Sequence, residues 1–191
     1  MPAQNNTAIL LAAGSGSRMQ GTVEDKILTR LAGLPLINHS ISAFVKSGVI
    51  NQFTIVYRDI EQRKALEAIV IQIELKDIPV KWIHGGSERQ NSVYNALITQ
   101  PENCEYVFIH DGARPLITAT AIQDLHRAVL NGGAASLAHP VADTVKRIAD
   151  PKQLFQTELE DLDRDRLWAM ETPQAFAFNK ILSAYENVRS K

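Results

Sequence analysis

Short apolar strands alternate with helical patterns along this chain, and the alternation is the feature that most constrains its fold. Five apolar segments predict strands, at residues 8–13, 53–57, 80–84, 106–110 and 134–140. Glycine, proline or asparagine residues stand beside each of them. Strands that alternate with helices form a mostly parallel sheet through right-handed crossovers. The sequence therefore predicts an α/β fold, in which a mostly parallel sheet is flanked by helices.

Helix signals occupy the gaps between these strands. Residues 35–47 carry apolar side chains at helical spacing and end before a glycine. Ser87 and Gln90 have the spacing of a capping box, which predicts that a helix starts there. Residues 118–131 and 178–189 also show helical spacing. In the first of these two, the predicted buried stripe consists of Ile122, Leu125, Val129 and Leu130.

The pattern changes near residue 141, where the sequence predicts a β-hairpin. Residues 144–148 and 154–157 are its two predicted strands, and residues 167–170 predict a further short strand. A two-stranded ribbon is marginally stable on its own in water, so we expect it to pack on the domain body or, more readily, on a second subunit. We therefore predict one domain over residues 1–191, with a dimerisation arm at 141–166.

Composition and charge narrow the class of function. The chain has 191 residues, of which 45% are hydrophobic, and this is enough to build one substantial core. Its 20 basic and 21 acidic residues give a net charge of −1, which offers no general case for binding nucleic acid or a membrane surface. The single cysteine excludes an internal disulfide and a multi-cysteine zinc site. No apolar run approaches the roughly 20 residues that span a bilayer, and no secretory signal is evident, so we expect a cytoplasmic location.

The segment after the first predicted strand combines glycines with positive charge. Gly14 and Gly16 let the backbone press its N–H groups against an anion, and Arg18 and Lys26 supply fixed charge. A dinucleotide-binding fingerprint needs a third glycine where Met19 stands, and a Walker A loop needs a Lys-Ser/Thr pair that is missing here. A flexible serine–glycine turn without a ligand is the plainer alternative. The segment favours a phosphate cradle in an enzyme that uses a nucleoside triphosphate.

Ligands of parallel sheets gather at the carboxyl ends of the strands, so the residues after each predicted strand are the first candidates for a site. Four such segments mix small residues with charge, at 14–18, 85–92, 110–115 and 143–147. Taken singly, each is also explained as a turn, a loop cap or a solvated hairpin face. Together they predict one nucleotide site, in which Asp111 takes a ribose hydroxyl or Mg²⁺ and the basic side chains meet phosphates.

These motifs resemble those of the 2-C-methyl-D-erythritol 4-phosphate cytidylyltransferase family over essentially the whole chain. The matching stretches are Leu-Ala-Ala-Gly-Ser-Gly-Ser-Arg-Met, Gly-Gly-Ser-Glu-Arg-Gln-Asn-Ser-Val, His-Asp-Gly-Ala-Arg-Pro, Pro-Val-Ala-Asp-Thr-Val-Lys and Thr-Pro-Gln. The resemblance implies a Rossmann-like nucleotidyltransferase fold and a homodimer with interlocked arms. It also implies transfer of CMP from CTP to methylerythritol phosphate with a divalent metal such as Mg²⁺, in the non-mevalonate isoprenoid route. D-Ribitol 5-phosphate is the alternative acceptor.

The resemblance also implies a role for individual residues, carried over by position. The residues that border the cytidine are Leu11, Ala12, Ala13, Gly14 and Gly16. Those that contact the base are Gly86, Ser87 and Ser92, while Asp111 and Gly112 lie at the ribose and Asp111 binds the metal. The triphosphate is held by Arg18 and Lys26. The acceptor is positioned by Arg114, Thr144, Arg164 and Thr172, with Arg164 or Thr144 donated across the dimer.

Three departures from the family pattern modify these expectations. The family usually has Pro-Lys-Gln where this chain has Asp25, Lys26 and Ile27, so we expect Asp25 to weaken triphosphate binding or to pair with Lys26. Ser87 stands where aspartate is common, which predicts looser base selectivity. Family members continue past Lys191 with a segment whose lysine contacts the phosphates. The sequence is therefore expected to be a truncated chain, a shortened gene product or a homologue that binds without efficient catalysis.

Overall fold

A six-stranded sheet forms the framework of the protein. The computed structural model describes residues 5–14, 25–75, 77–150, 152 and 157–190. Two compact units are present, which we name the body unit (Met1–Ser136 and Thr172–Lys191) and the arm unit (Leu137–Glu171). The strands are β1 Asn6–Leu11, β2 Arg30–Leu31, β3 Leu34–Pro35, β4 Gln52–Tyr57, β5 Val80–His84, β6 Tyr106–Asp111, β7 Ala134–Pro140, β8 Lys146–Ile148, β9 Leu159–Asp161 and β10 Trp168–Ala177. The α-helices are α1 Leu36–Ser47, α2 Ile60–Ile71, α3 Arg89–Leu97, α4 Ala119–Gly132 and α5 Phe178–Arg189.

The strand order of the sheet is β5-β4-β1-β6-β10-β7. Strand β1 pairs in parallel with β4 and β6, and β4 pairs in parallel with β5. Strand β10 runs antiparallel to β6. The carboxyl ends of β1, β4, β5 and β6 therefore meet at one edge of the sheet, where ligands of such folds bind. The predicted α/β fold with a mostly parallel sheet is confirmed.

The central strands are apolar because both of their faces are covered. Ala8, Ile9 and Leu10 of β1 are completely buried, as expected for a strand inside a parallel sheet. Strand β1 starts two residues earlier than predicted, at Asn6, because the N–H of Asn6 is bonded to Asn51 Oδ1 and its side-chain amide to the Val49 carbonyl. Asn6 is itself buried, and these hydrogen bonds extend the strand beyond its apolar run.

The ends of α1 and α4 follow the predicted signals. Both helices stop at a glycine in the left-handed region, Gly48 at φ 68° and Gly133 at φ 74°. The Thr118 side chain caps α4 by accepting the N–H of Ala121. The prediction that Leu130 belongs to the buried stripe of α4 is wrong, since Leu130 is 41% exposed. Successive helical residues are turned by about 100°, so with its neighbour directed inward Leu130 lies on the flank of the helix.

The predicted capping box at Ser87 is also wrong. Helix α3 begins at Arg89, and its N-cap residue Glu88 makes no side-chain cap bond. The Ser87 hydroxyl instead accepts a hydrogen bond from Asn91 Nδ2 at 3.1 Å. Because Ser87 precedes the N-cap, its hydroxyl bonds to a side chain of the first helical turn rather than to the backbone.

Helix α3 is fixed to the sheet by an apolar cluster of the body unit. Val93 and Leu97 of α3 pack with Ile9 of β1 and Val56 of β4. From α5, Ile181, Leu182 and Tyr185 pack against this cluster. No helix in the described ranges is long and apolar enough to cross a lipid bilayer.

The arm unit contains an antiparallel pair formed by β8 and β9. The predicted second strand at 154–157 is wrong where it can be compared: Thr157 lies outside any strand, and residues 154–156 lie outside the described residues. Lys146 is paired with Asp161, and Arg147 Nη1 lies 3.2 Å from Glu160 Oε1. Opposite charges across the two strands favour this register, whereas the sequence prediction followed the apolar residues at 154–155. Of the predicted strand at 167–170, residues 168–170 belong to the longer β10, and Leu167 precedes it.

Candidate functional site

Main-chain hydrogen bonds continue past the ends of the parallel strands. The Ala12 N–H donates to the Val56 carbonyl at 2.9 Å, and the Gly85 N–H donates to the Tyr57 carbonyl at 2.8 Å. On the other side of β1, the Gly112 N–H donates to the Leu11 carbonyl at 3.0 Å. The predicted segments that contain Gly85 and Gly112 and the residues directly after β1 are therefore fixed to the same edge of the sheet.

The segment that starts at Gly85 lies directly against Ala13, two residues beyond the end of β1. A Cβ atom added at Gly85 would stand only 2.6 Å from Ala13 Cβ and 3.2 Å from Ser92 Oγ. The buried Ser92 hydroxyl accepts the Gly86 N–H at 3.0 Å. Ser87 is exposed beside them. The structure thus brings Ala13 close to the segment that carries the three predicted base-contacting residues, and glycine at 85 is what permits this close approach.

The Asp111 carboxylate lies between two arginine side chains. Its Oδ1 accepts from Arg89 Nη2 at 3.0 Å and Nε at 3.2 Å, and its Oδ2 accepts from Arg114 Nε at 3.3 Å. All three side chains are partly exposed. Arg89 links the start of α3 to the end of β6, and the sequence analysis did not single it out, although it lies inside the quoted Gly-Gly-Ser-Glu-Arg stretch. Both carboxylate oxygens face positive charge that phosphates can also use.

A buried hydrogen-bond network fixes the loop that begins at His110. His110 Nε2 lies 3.2 Å from the Arg114 carbonyl oxygen, which can only accept, so this nitrogen carries the proton. His110 Nδ1 lies 3.1 Å from Thr172 Oγ1, which itself accepts the Asp111 N–H at 3.3 Å. Burial lowers the pKa of His110 to about 4. Thr172, 7% exposed, therefore bonds to the protein with its hydroxyl and fixes the backbone of Asp111.

Lys26 is exposed on a short 3₁₀ turn, Lys26–Leu28. The next side chain, Ile27, is buried, and its Cδ1 would stand 2.9 Å from a Cβ added at Gly112. Glycine at position 112 therefore lets Ile27 pack closely against the loop. This contact places the turn that carries Lys26 beside the loop that carries Asp111.

The expectation that Asp25 pairs with Lys26 is wrong. The Asp25 carboxylate accepts hydrogen bonds from the Ile27 N–H, from Arg58 Nη2 and from Gln62 Nε2, at 3.1, 3.1 and 2.8 Å. Arg58 follows β4 and Gln62 lies in the first turn of α2, both far from Asp25 in sequence. Neighbouring strands of the sheet bring these groups together, which the local sequence did not indicate.

The arm unit holds two of the predicted acceptor-binding residues together. Thr144 and Arg164 both line a cavity of about 390 Å³, whose remaining wall is formed by Val145, Asp161, Leu162, Asp163 and Asp165. Arg164 Nη1 donates to the Ala142 carbonyl at 3.0 Å. The cavity therefore combines a hydroxyl, a guanidinium group and carboxylates in one place.

The remaining predicted site residues differ in how much the structure says of them. Leu11 is the last residue of β1, Ala12 is buried, and Gly14 is exposed with open space around it. Gly16 and Arg18 lie outside the described residues. Within the described ranges, no group of three or more histidine, cysteine, aspartate or glutamate side chains could hold a metal ion.

Comparisons with known proteins match nearly the whole chain. The family model "IspD: 2-C-methyl-D-erythritol 4-phosphate cytidylyltransferase" matches residues 7–191. A relative named 2-C-methyl-D-erythritol 4-phosphate cytidylyltransferase from Bacillus cereus is 37% identical over 96% of this chain and 77% of its own length. One of the same name from Shouchella clausii is 38% identical over 95% and 76%.

Solved structures show the same fold. The crystal structure of 4-diphosphocytidyl-2C-methyl-D-erythritol synthase from Anaerococcus prevotii has a TM-score of 0.82 at 22% identity, covering 99% of this chain and 78% of that one. The structure of 2-C-methyl-D-erythritol 4-phosphate cytidylyltransferase from Francisella tularensis has a TM-score of 0.73 at 25% identity, covering 98% and 79%.

Proposed function

Because the chain belongs to the 2-C-methyl-D-erythritol 4-phosphate cytidylyltransferase family, we propose that it transfers CMP from CTP to 2-C-methyl-D-erythritol 4-phosphate and releases pyrophosphate. The reaction contributes to isoprenoid precursors by the non-mevalonate route. One observation carries the proposal: the segments that contain Ala13, Gly85 and Asp111 all lie at the same edge of the sheet. The names of the relatives favour methylerythritol phosphate over D-ribitol 5-phosphate as acceptor.

The cytosine base is proposed to lie against Ala13 and the segment from Gly85 to Ser92. The hydroxyl groups of Ser87 and Ser92 can offer donors and acceptors to the edge of a base, and the Gly86 N–H fixes the Ser92 hydroxyl in place. The Ser87 hydroxyl already accepts a hydrogen bond from Asn91, so its own proton is available as a donor. This arrangement supports a hydroxyl, rather than a carboxylate, as the contact to the base at this position.

The triphosphate is proposed to extend from this point towards Lys26. Lys26 is exposed on its turn and is held beside Gly112 by the buried Ile27. A lysine ammonium placed in this way neutralises charge on the phosphates as the reaction proceeds. The matching role of Arg18, which lies outside the described residues, stays a prediction from the resemblance.

The acceptor is proposed to bind through Arg114 and through Thr144 and Arg164 of the arm unit. Arg114 is half exposed and already faces a carboxylate, so its guanidinium is suited to a phosphate. Thr144 and Arg164 share one cavity that has room for a small polyol phosphate. The contacts of Thr172 support an indirect role, in which its hydroxyl positions Asp111.

Asp111 is the residue proposed to hold Mg²⁺. A single carboxylate fits this ion when phosphate oxygens of a nucleotide complete its ligands, which is how Mg²⁺ is commonly bound. Arg89 and Arg114, which pair with Asp111, would then contact both its carboxylate and those phosphates. When bound, the ion supplies Lewis-acid polarisation of phosphate oxygens and neutralises their charge.

The chemistry needs no covalent intermediate on the protein. A phosphate oxygen of the acceptor attacks the α-phosphorus of CTP, and the bond from that phosphorus to the bridging oxygen of the β-phosphate breaks. Pyrophosphate leaves with that oxygen. The protein's own groups align the two substrates and neutralise charge, with Lys26 at the triphosphate and Arg114 at the acceptor.

A homodimer through the arm unit completes the proposal. The hairpin of β8 and β9 is short, and such a ribbon gains stability only by packing on something else. Leu159, Trp168 and Met170 of the arm unit are each more than half exposed. These apolar side chains support packing against a second copy, which could donate Arg164 or Thr144 to the site.

Pyrophosphate release tests the proposed function. The protein is incubated with CTP and Mg²⁺, and with methylerythritol phosphate, D-ribitol 5-phosphate or no acceptor. Pyrophosphate release is expected with methylerythritol phosphate, and not with D-ribitol 5-phosphate or without an acceptor. Release only with D-ribitol 5-phosphate would change the acceptor. No release despite CTP binding by calorimetry would support the alternative of a homologue that binds nucleotide without catalysis.

A further inference from the structure

Gln62 is only 2% exposed, and both its amide nitrogen and its amide oxygen are hydrogen-bonded. It lies in the first turn of α2. Its Nε2 donates to the Ala12 carbonyl at 3.0 Å and to Asp25 Oδ2 at 2.8 Å, and its Oε1 accepts the Arg58 N–H at 2.7 Å. A buried amide with three satisfied partners is costly to alter, because each lost bond leaves a buried polar group unpaired.

The Asp25 carboxylate is the other half of this arrangement. Its side chain is 9% exposed, and it accepts from three donors, one of which is the Ile27 N–H that starts the 3₁₀ turn. Arg58 Nη2 provides its opposite charge at 3.1 Å. A carboxylate this buried keeps its place only while those donors stay aligned with it.

Gln62 and Asp25 connect the proposed nucleoside site with the proposed triphosphate contact. Ala12 ends the first strand segment, where the nucleoside is proposed to bind, and Asp25 directly precedes the exposed Lys26. The two N–H groups of a planar amide point in fixed directions, so Gln62 sets the spacing between the Ala12 carbonyl and the Asp25 carboxylate. In the sequence, the glycine-rich segment lies between these two points.

We infer that Gln62 and Asp25 are positioning residues that hold Lys26 at the distance from Ala12 that a nucleoside triphosphate requires. Affinity for CTP then depends on this pair, whereas affinity for CMP, which does not reach Lys26, does not. The inference rests on the proposed function, because it takes Lys26 as the phosphate contact.

Asp25→Asn is the sharpest test, because simple electrostatics and positioning predict opposite signs. The change removes a negative charge next to Lys26, and charge alone would strengthen CTP binding. It also replaces one of the two acceptor oxygens with an amide donor, so either the Ile27 N–H or the donors of Gln62 and Arg58 lose their acceptor and the alignment breaks. The expected result by calorimetry is that CTP binds about tenfold more weakly, while CMP binding stays within twofold.

Gln62→Met tests the other member of the pair without changing the charge. The thioether side chain is of similar length but cannot donate to the Ala12 carbonyl or to Asp25, so both contacts that set the spacing are lost. CTP is expected to bind about tenfold more weakly, while CMP binding stays within about twofold. Glu61→Gln is the matched control for Asp25→Asn, since it removes one negative charge from the first turn of α2 at an exposed position.

The outcomes separate this inference from the proposed function. Equal losses for CTP and CMP, stronger CTP binding by Asp25→Asn, or unchanged CTP binding by Gln62→Met would each overturn the positioning role. If the original chain binds no CTP, the proposed function itself fails. If Lys26→Ala lowers CTP affinity selectively and Asp25→Asn does not, only this inference fails. Should Gln62→Met not fold, the sign of the change in Asp25→Asn still decides.

Discussion

Gly85 occupies the point where two strand-end segments touch. Its backbone donates to the Tyr57 carbonyl, and a Cβ added there would stand 2.6 Å from Ala13 Cβ. Neither group is the flexible end of a long side chain, so neither can move aside without shifting the backbone. Glycine at this position is what allows the proposed base-binding segment to lie flat against the end of β1.

Gly85→Ala is expected to weaken CTP binding by about tenfold, because overpacking costs about 1–3 kcal/mol and separates Ala13 from the segment of Ser92. Calorimetric titration with CTP measures the effect. Gly132→Ala is the control, since a Cβ there meets nothing within 4 Å and should leave CTP binding unchanged. Equal affinities for the two variants would contradict the proposed contact.

The position of a residue was predicted well where it stands at the end of a strand or directly after it. Asp111 ends β6 and Arg114 lies in the loop that follows, as expected, while their roles in binding stay predictions. The partners of Asp25 were missed, since Arg58 and Gln62 depend on the strand next to β1 and not on local spacing. Arg89 carries charge within a quoted motif, but its contact with Asp111 depends on how α3 meets the end of β6.

At the scale of elements, β6 and β10 are linked beneath the site by side chains as well as by their ladder. Thr172 Oγ1 accepts the Asp111 N–H and contacts His110 Nδ1. His110 in turn bonds to the Arg114 carbonyl. The antiparallel strand β10 therefore fixes the loop that presents Asp111 and Arg114.

Thr172→Val should lower the free energy of unfolding by about 1–3 kcal/mol, because it keeps the shape of the side chain and leaves the Asp111 N–H without its partner. Urea denaturation measures this. Thr120→Val, an exposed position on α4, is the matched control and should change stability by less than about 0.5 kcal/mol. A loss no larger than that of the control would exclude the proposed support of Asp111.

The elements themselves were predicted well where periodicity or a glycine stop was strong. Strands β5 and β7 and the end of α1 match the predicted bounds. Strand β10 was predicted only over 167–170, because an antiparallel strand that mixes polar and apolar residues lacks the apolar run of β1. The partner of β8 was misplaced for a related reason, since paired charges and not apolar residues set its register.

At the scale of the whole molecule, buried histidine makes stability depend on pH. His110 has a pKa of about 4 in the folded chain against an ordinary value of 6.5. Below pH 6.5 the unfolded chain takes up a proton that the folded chain does not, so stability falls as the pH is lowered towards 4. Burial also lowers the pKa of His126, which acts in the same direction.

The contribution of His110 to this loss should be about 3 kcal/mol between pH 6.5 and pH 4. Urea denaturation at a series of pH values measures it for the original chain and for His110→Gln. The variant is expected to be less stable at pH 7 but to lose less stability on acidification. Parallel pH profiles would show that His110 is not the group responsible.

The central claim is that the site at the carboxyl edge of the sheet transfers CMP to the acceptor. Following a radioactive label from CTP into the product tests it most directly. The protein is incubated with Mg²⁺, methylerythritol phosphate and CTP labelled with ³²P at the α-phosphorus. The label is expected in a product that contains the acceptor, at a rate that Lys26→Ala lowers by about a hundredfold and that Lys46→Ala, an exposed lysine of α1, leaves unchanged. Label found only in free CMP, or equal rates for the two lysine variants, would contradict the claim.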